Sequence, residues 1–296
     1  MKNKHISQRI KTTKITMERN KSFQNKPILY LVSTPIGNLG EVSKRTIEVL
    51  NSVDFVAAED TRNSLNLLNN LGVKKKMISL HEHNEREASA NVIKLILEGS
   101  SIAYMSDAGY PGISDPGALL VQEAIKNNVP VSVINGSSAF LTALIPSGLP
   151  TDHFYFHGFL PSKDSDAKKE LADLVSKKET LIFYESPHRI IRTLAMLFEA
   201  LGDRKACIAR ELTKLNEEYI RGSLSELKDV EEATLKGEMV IIVEGNNIMQ
   251  EVDDNKLLNR YRELLEKGLT KPQAREIVCE EFDAKPNYVK SLTMKL

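Results

Sequence analysis

The sequence predicts an α/β protein with a parallel-rich first sheet, a mixed second sheet and a small C-terminal helical module. Three features predict it. Between Pro27 and Ile134, short apolar runs alternate with helix-like stretches, as expected of parallel strands joined by crossover helices. Between Phe154 and Glu244 strand-like runs continue, but two of them lie too close for an intervening helix, so that pair is a hairpin and the sheet is mixed. Beyond residue 256 the periodicity is helical only.

In chain order, Ile28–Ser33 reads as a strand followed by the loop Thr34-Pro35-Ile36-Gly37-Asn38. A helix then opens at Ser43, whose hydroxyl suits an N-cap, with Ile47 and Leu50 facing inward. Val53–Ala58 is a second strand, ending in Glu59-Asp60. Residues 61–71 suit a helix stopped by Gly72, with Leu65, Leu68 and Leu71 on one face. Met77–Leu80 and Ser101–Met105 read as strands around the helix Glu85–Glu98. Asp115–Asn127 reads as a helix with Asp115 as its N-cap, and Val129–Ile134 as a strand before the helix Ser138–Pro146. Gly148-Leu149-Pro150 marks the joint to a second unit. Its expected strands are Phe154–Phe159, Thr180–Glu185, Lys205–Glu211, Glu218–Arg221 and Glu238–Glu244, with helices near 165–177, 187–201 and 223–230. The expected domains are therefore 27–148 and 151–245, with a polar linker before the module at 256–296. That module reads either as helix-turn-helix-like or as a helical cap, with Thr270 capping one of its helices.

A chain of 296 residues with 41% hydrophobic content can fill two moderate cores. Formal charge is zero, yet residues 1–26 carry eight basic side chains against Glu18, a net +7, and read as a basic disordered extension. The remaining body carries about −7, which argues against a purely electrostatic nucleic-acid binder. Two distant cysteines, Cys207 and Cys279, suggest no disulfide scaffold and a reducing, cytoplasmic setting. No apolar run approaches the ~20 residues that a membrane-spanning helix needs.

Chemistry is expected at the strand ends, where open α/β sheets hold ligands. The loop Ser106-Asp107-Ala108-Gly109-Tyr110-Pro111-Gly112-Ile113-Ser114-Asp115-Pro116-Gly117 has three glycines and two prolines in twelve residues, stiff yet open to close ligand approach. Asp107 is placed to accept a hydrogen bond from a bound hydroxyl or amine. A second turn, Asn135-Gly136-Ser137-Ser138-Ala139, presents backbone N–H groups before a helix. Neither the dinucleotide nor the P-loop fingerprint occurs. His81 and His83 alternate on one strand end, but they lack a metal-site signature, and no metal is expected. No Ser-His-Asp or Cys-His set assembles, which fits group transfer from an activated cofactor.

Eight motifs appear in order: T-P-I-G-N-L (34–39), A-E-D-T-R (58–62), H-E-H-N (81–84), S-D-A-G-Y-P-G-I-S-D-P-G (106–117), G-F-L-P (158–161), F-Y-E-S-P-H-R (183–189), A-R-E-L-T-K (209–214) and K-G-E-M-V-I-I-V-E-G (236–245). Over residues 27–245 the chain resembles the cytidine 2′-O-ribose methyltransferases of small-subunit ribosomal RNA within the tetrapyrrole methylase superfamily. The resemblance implies a two-domain tetrapyrrole-methylase-like fold, a homodimer, and S-adenosylmethionine held in the cleft between the domains. Carried onto this chain, it implies cofactor contacts from Pro35, Gly37, Asp107, Gly109, Tyr110, Ser138, Ala139, Leu212 and Glu238. The chain departs from the family's usual Pro-Gly-Pro at Asn135-Gly136-Ser137, which loosens that turn, and Tyr110 is bulkier than the residue often found there.

The implied reaction is in-line displacement at a sulfonium methyl by a ribose oxygen, aided by a base. Asp60, His83 and Glu185 are unranked candidates for that base, and Arg62, His188, Arg189 and Lys214 for the RNA contacts. The implied partner is the ribosomal RNA of the small subunit, with no DNA and no membrane. Alternatives are a small-molecule methylase of the same superfamily and a non-catalytic RNA-binding assembly factor. The ribosomal-branch motifs count against the first and the intact Asp107 loop against the second.

Overall fold

The computed structural model describes residues 27–247, 254–282, 284 and 286–294, so the basic segment 1–26 lies outside the described residues. Two compact units are present. One runs to Val175 and resumes at Glu179–Glu244, and carries both sheets; the other joins Ser176–Lys178 to Gly245–Leu296.

The first sheet contains β1 (Leu29–Val32), β2 (Phe55–Ala58), β3 (Lys76–Ser79), β4 (Ile102–Met105) and β5 (Val131–Ile134). All pairs are parallel, in the order β3-β2-β4-β1-β5. The period-2 alternation of each strand divides the apolar residues between two layers. Leu29, Leu31, Ile102 and Tyr104 pack beneath α3 (Glu85–Leu97) and α4 (Ala118–Lys126). Val32, Val56, Ala103 and Met105 pack with α1 (Lys44–Ser52) and α2 (Thr61–Asn70). Ser43 caps α1 as its sequence position suggests, its hydroxyl accepting from Thr46 N at 3.1 Å.

The structure refines one helix expectation and corrects another. Leu65 of α2 is 46% exposed, whereas Ser64 and Leu68 are buried and Leu71 packs beside them. Positions i, i+4 and i+7 define that face, and Leu65 lies about 100° away from Ser64 around the axis. Likewise α4 begins at Ala118, so Asp115 is not its cap. The carboxylate of Glu85, at the start of α3, accepts from Gly117 N at 2.8 Å and from Leu119 N at 3.3 Å, taking the capping role from outside. Gly117 at φ +130° fits against Tyr104, where a Cβ would stand 2.8 Å from the ring.

Helix α5 (Ala139–Ser147) follows β5 but packs on the second sheet, burying Ala143 and Leu144 against Ile182, Cys207, Ala209, Val240 and Ile242. Gly148, left-handed at φ +80°, ends it. The second sheet contains β6 (Phe154–Phe159), β7 (Thr180–Glu185), β8 (Lys205–Arg210), β9 (Glu218–Ser223) and β10 (Met239–Val243), ordered β6-β7-β10-β8-β9. β6 and β7 are parallel and every other pair is antiparallel, which gives the mixed sheet and the β8–β9 hairpin expected from spacing. Its other face is covered by α6 (Asp164–Ala172), α7 (Ile190–Leu201) and the short α8 (Leu224–Leu227).

The second unit comprises α9 (Asp254–Glu266), α10 (Lys271–Glu281) and α11 (Pro286–Thr293) around a core of its own, including Leu257, Tyr261, Ala274, Val278 and Val289. Thr270 and Gln273 form a capping box at the start of α10. Among the described residues no helix is long and apolar enough to cross a membrane.

Candidate active site

Parallel pairing puts the ends of β1, β2, β4 and β5 on one edge of the first sheet, and their loops are tied to each other there. Thr34 N donates to Gly109 O at 2.9 Å, and Gly109 N returns a bond to Thr34 O at 3.1 Å. The Thr34 hydroxyl also donates to Ser106 O at 3.2 Å. Gly109 sits at φ +75°, which favours glycine, with Ile36 and the Ser137 carbonyl close by.

The turn at 135–137 is held by side chains. Gly136 N donates to the Tyr110 hydroxyl at 3.1 Å, and that hydroxyl donates to the Asn135 side-chain oxygen. Ser33 donates to Ser137 O at 3.0 Å, and the Ser137 hydroxyl donates to Glu41 at 2.6 Å. The expected loosening of this turn is therefore offset in part by the Asn135 and Ser137 side-chain bonds, which prolines could not make.

Between these loops and the second sheet lies a cavity of about 340 Å³, within the range of small-ligand sites. It brings together Gly109, Tyr110, Ser138, Ala139, Leu212 and Glu238 from the cofactor set and Glu185 from the base candidates. Phe140, Tyr184, Phe159, Ile113 and Ile36 add apolar wall, and Ser138 carries a buried hydroxyl with no partner. Among the residues that line the cavity there is no Lys, Arg or His, but three carboxylates: Asp115, Glu185 and Glu238.

The other sequence-predicted residues serve elsewhere. Asp107 accepts from Asp60 N at 3.3 Å and from Asn63 at 3.1 Å, anchoring its loop to the start of α2. Asp60 caps α2 and binds the Arg62 guanidinium, which holds its carboxyl below the usual range and makes it a weak base. Gly37 makes room for Lys214, whose Cγ would lie 2.6 Å from a Cβ there. Lys214 Nζ lies 2.9 Å from Glu211 and 3.8 Å from Glu238. Pro35 lies outside the cavity lining, as do His83, in a short 3-10 turn, and His188, exposed after β7. Arg189 turns inward, donating to Leu160 O at 2.7 Å and lying 3.3 Å from Glu185. Glu185 is 2% exposed, with Ser186 N at 2.8 Å on one oxygen and the Thr193 hydroxyl at 2.6 Å on the other.

Asp115 is the wall residue that sequence reasoning missed. Burial, followed by the charge of Glu59, pushes its carboxyl up to about 6, partly offset by the Ser106 hydroxyl beside it. Burial raises Glu59 as well, against a bond from the Asp107 backbone and with further upward pressure from the Asp107 charge.

Comparison with known proteins extends this geometry. The family profile described as Tetrapyrrole (Corrin/Porphyrin) Methylases matches residues 28–228. A protein of Halalkalibacterium halodurans named "Ribosomal RNA small subunit methyltransferase I" is 48% identical over 234 residues, covering 78% of this chain and 81% of its own. Proteins of the same name from Streptococcus pyogenes and Bacillus subtilis are each 44% identical, covering 90% and 80% of this chain and 95% and 82% of theirs. Among solved structures, the methyltransferase CobJ superposes with a TM-score of 0.56 at 17% identity, covering 74% of this chain and 95% of that one. Uroporphyrin-III-C-methyltransferase from Thermus thermophilus gives 0.52 at 18% identity, covering 74% and 94%. At such identities these two likenesses concern the fold.

Proposed function

Because the chain belongs to the tetrapyrrole methylase family, and its relatives at 44–48% identity are named for methylation of small-subunit ribosomal RNA, we propose that it is an S-adenosylmethionine-dependent methyltransferase acting on a cytidine 2′-hydroxyl in that RNA. We read it further as a cytoplasmic homodimer.

The cavity is the observation that carries this reading, and its residues fit the cofactor. A sulfonium and an ammonium group are cationic, and the cavity presents three carboxylates with no cation in its lining. The unpartnered Ser138 hydroxyl and the strand-end glycine loop offer polar contacts and close backbone approach. Bound there, S-adenosylmethionine supplies an activated methyl group. The chain's own part is to enclose it with Gly109, Tyr110, Ser138, Ala139, Leu212 and Glu238, and to exclude water with the apolar wall.

The same lining discriminates between substrates. A carboxylated macrocycle entering it would meet like charge, whereas a ribose hydroxyl is neutral. Phosphates stay outside, where they meet exposed His188 and the exposed Arg62, which is shared with Asp60. Phe159, 52% exposed at the cavity lip, offers a ring face to a base.

The test is to incubate the protein with labelled cofactor and unmethylated small subunits, naked ribosomal RNA or a precorrin, and to map the label by mass spectrometry. Label on a cytidine ribose is the expected result. Label on a base, or on the macrocycle alone, would refute the reading.

A further inference from the structure

We propose that Asp115 is the catalytic residue that takes the proton from the ribose hydroxyl as the methyl group is transferred. This rests on the functional reading above and goes beyond it, because the base candidates suggested by sequence were Asp60, His83 and Glu185.

Position is the first argument. The helix cap that the sequence suggests for Asp115 is supplied by Glu85, so the Asp115 carboxyl is released from the backbone and stands in the cavity wall. Elimination is the second. Asp60 and His83 do not line the cavity, and Asp60 is bound to Arg62. Glu185 has an acceptor bond on each oxygen and the Arg189 guanidinium 3.3 Å away. Glu238 lies 3.8 Å from the Lys214 ammonium. Of the three wall carboxylates, only Asp115 has no cationic partner among the described residues.

The third argument is what surrounds it. Glu59 faces it from the end of β2, and Asp107 and the Ser106 hydroxyl from the end of β4. Tyr104 of β4 and Tyr184 of β7 approach it as neutral phenols, both raised above their usual range by burial. Each of these groups is acidic or neutral, so a proton is held more tightly here than on an exposed aspartate. A carboxyl titrating at about 6 is mostly ionised at neutral pH yet basic enough to accept a proton, the compromise that general bases need.

The step balances. The ribose oxygen forms its bond to the methyl carbon while the carbon–sulfur bond breaks and leaves its electron pair on sulfur. The O–H pair stays on oxygen and the proton passes to the Asp115 carboxylate. One sulfonium charge and one carboxylate charge are consumed together, and the acid later returns its proton to water.

The test uses the full chain and four proteins: wild type, Asp115→Asn, Asp115→Glu and Glu59→Gln. Three quantities are measured: kcat on unmethylated small subunits from pH 5 to 9, calorimetric affinity for S-adenosylhomocysteine, and carboxyl titration by difference infrared spectroscopy without substrate. Asp115→Asn is expected to lower kcat on the order of 100-fold or more, to leave affinity for S-adenosylhomocysteine, whose sulfur is neutral and gives Asp115 no charge to meet, within about threefold, and to abolish the acidic limb near pH 6. Asp115→Glu restores part of the rate, and confirms that a loss in the amide variant is not misfolding. Glu59→Gln moves the acidic limb and the infrared titration to lower pH, because a negative neighbour is gone. An amide variant with wild-type kcat, a loss confined to analogue affinity, or no carboxyl titrating near pH 6 in the infrared each overturns the proposal. If the wild type leaves ribosomal ribose unmethylated, the functional reading fails, and the infrared result still decides whether Asp115 is the perturbed carboxyl.

Discussion

At the residue scale, the site depends on side chains that stand in for rigid backbone. Tyr110 is the clearest case, since one hydroxyl both accepts from Gly136 N and donates to Asn135, joining the two glycine-bearing loops. Tyr110→Phe removes both bonds with little change of volume. We expect a three- to tenfold weaker S-adenosylhomocysteine affinity by calorimetry, from about 0.5–1.5 kcal/mol, with the melting temperature nearly unchanged. Unchanged affinity would mean that the turn is preorganised without it. Asp115 leaves a stability signature of opposite sign to an ordinary surface carboxylate. Its folded value of about 6 exceeds the reference 3.8, so between those values the folded chain binds more protons than the unfolded one. Stability contributed by the neutral form is therefore present at low pH and lost as pH rises through that window. Asp115→Asn is expected to melt with the wild type near pH 4 and above it at pH 8. A variant less stable at pH 8 would contradict the assigned burial cost.

At the element scale, α4 is the instructive one. Asp115 three residues before Ala118 looked like its cap by residue type alone, but Gly117 precedes the helix at φ +130° and the first amides point to Glu85 on α3. The cap is non-local, so no window around 115 could reveal it. Glu85→Ala leaves two amides unpaired and is expected to cost about 1 kcal/mol in urea unfolding, with faster amide exchange at Gly117 and Leu119. Exchange unchanged at those two positions would rule out this cap. Helix α5 shows the converse. Its sequence position after β5 suggested nothing about its packing partner, yet it buries Ala143 and Leu144 on the second sheet rather than on the sheet it follows.

At the scale of the whole molecule, charge is divided unevenly along the sequence. Residues 1–26 carry a net +7 and the rest about −7, and the cavity wall is acidic as well. An acidic body gains little from bare phosphate, so the basic segment is the natural source of salt-dependent RNA affinity. Removing residues 1–26 is expected to leave S-adenosylhomocysteine binding unchanged. It should reduce the slope of log affinity for small subunits against log salt. Identical slopes for the two proteins would exclude the segment from RNA binding.

Much was legible in the sequence because it depends on neighbours a few residues apart. Strand periodicity, the helix caps at Ser43 and Thr270 and the glycine loops after β4 and β5 are all local, and each is where its pattern indicated. The hairpin and the mixed second sheet followed from spacing. The roles of the charged residues were not legible. Arg189, Lys214 and Asp60 looked like free chemistry in their motifs, but folding pairs them with Glu185, Glu211 and Arg62. Asp115 looked like a cap and lies in the wall of the cavity. A helix or strand is specified by contacts within one turn or one pleat, so sequence alone determined the elements and their order. Whether a carboxylate is paired, buried or reactive depends on groups tens of residues distant, and only the tertiary structure brings them within reach.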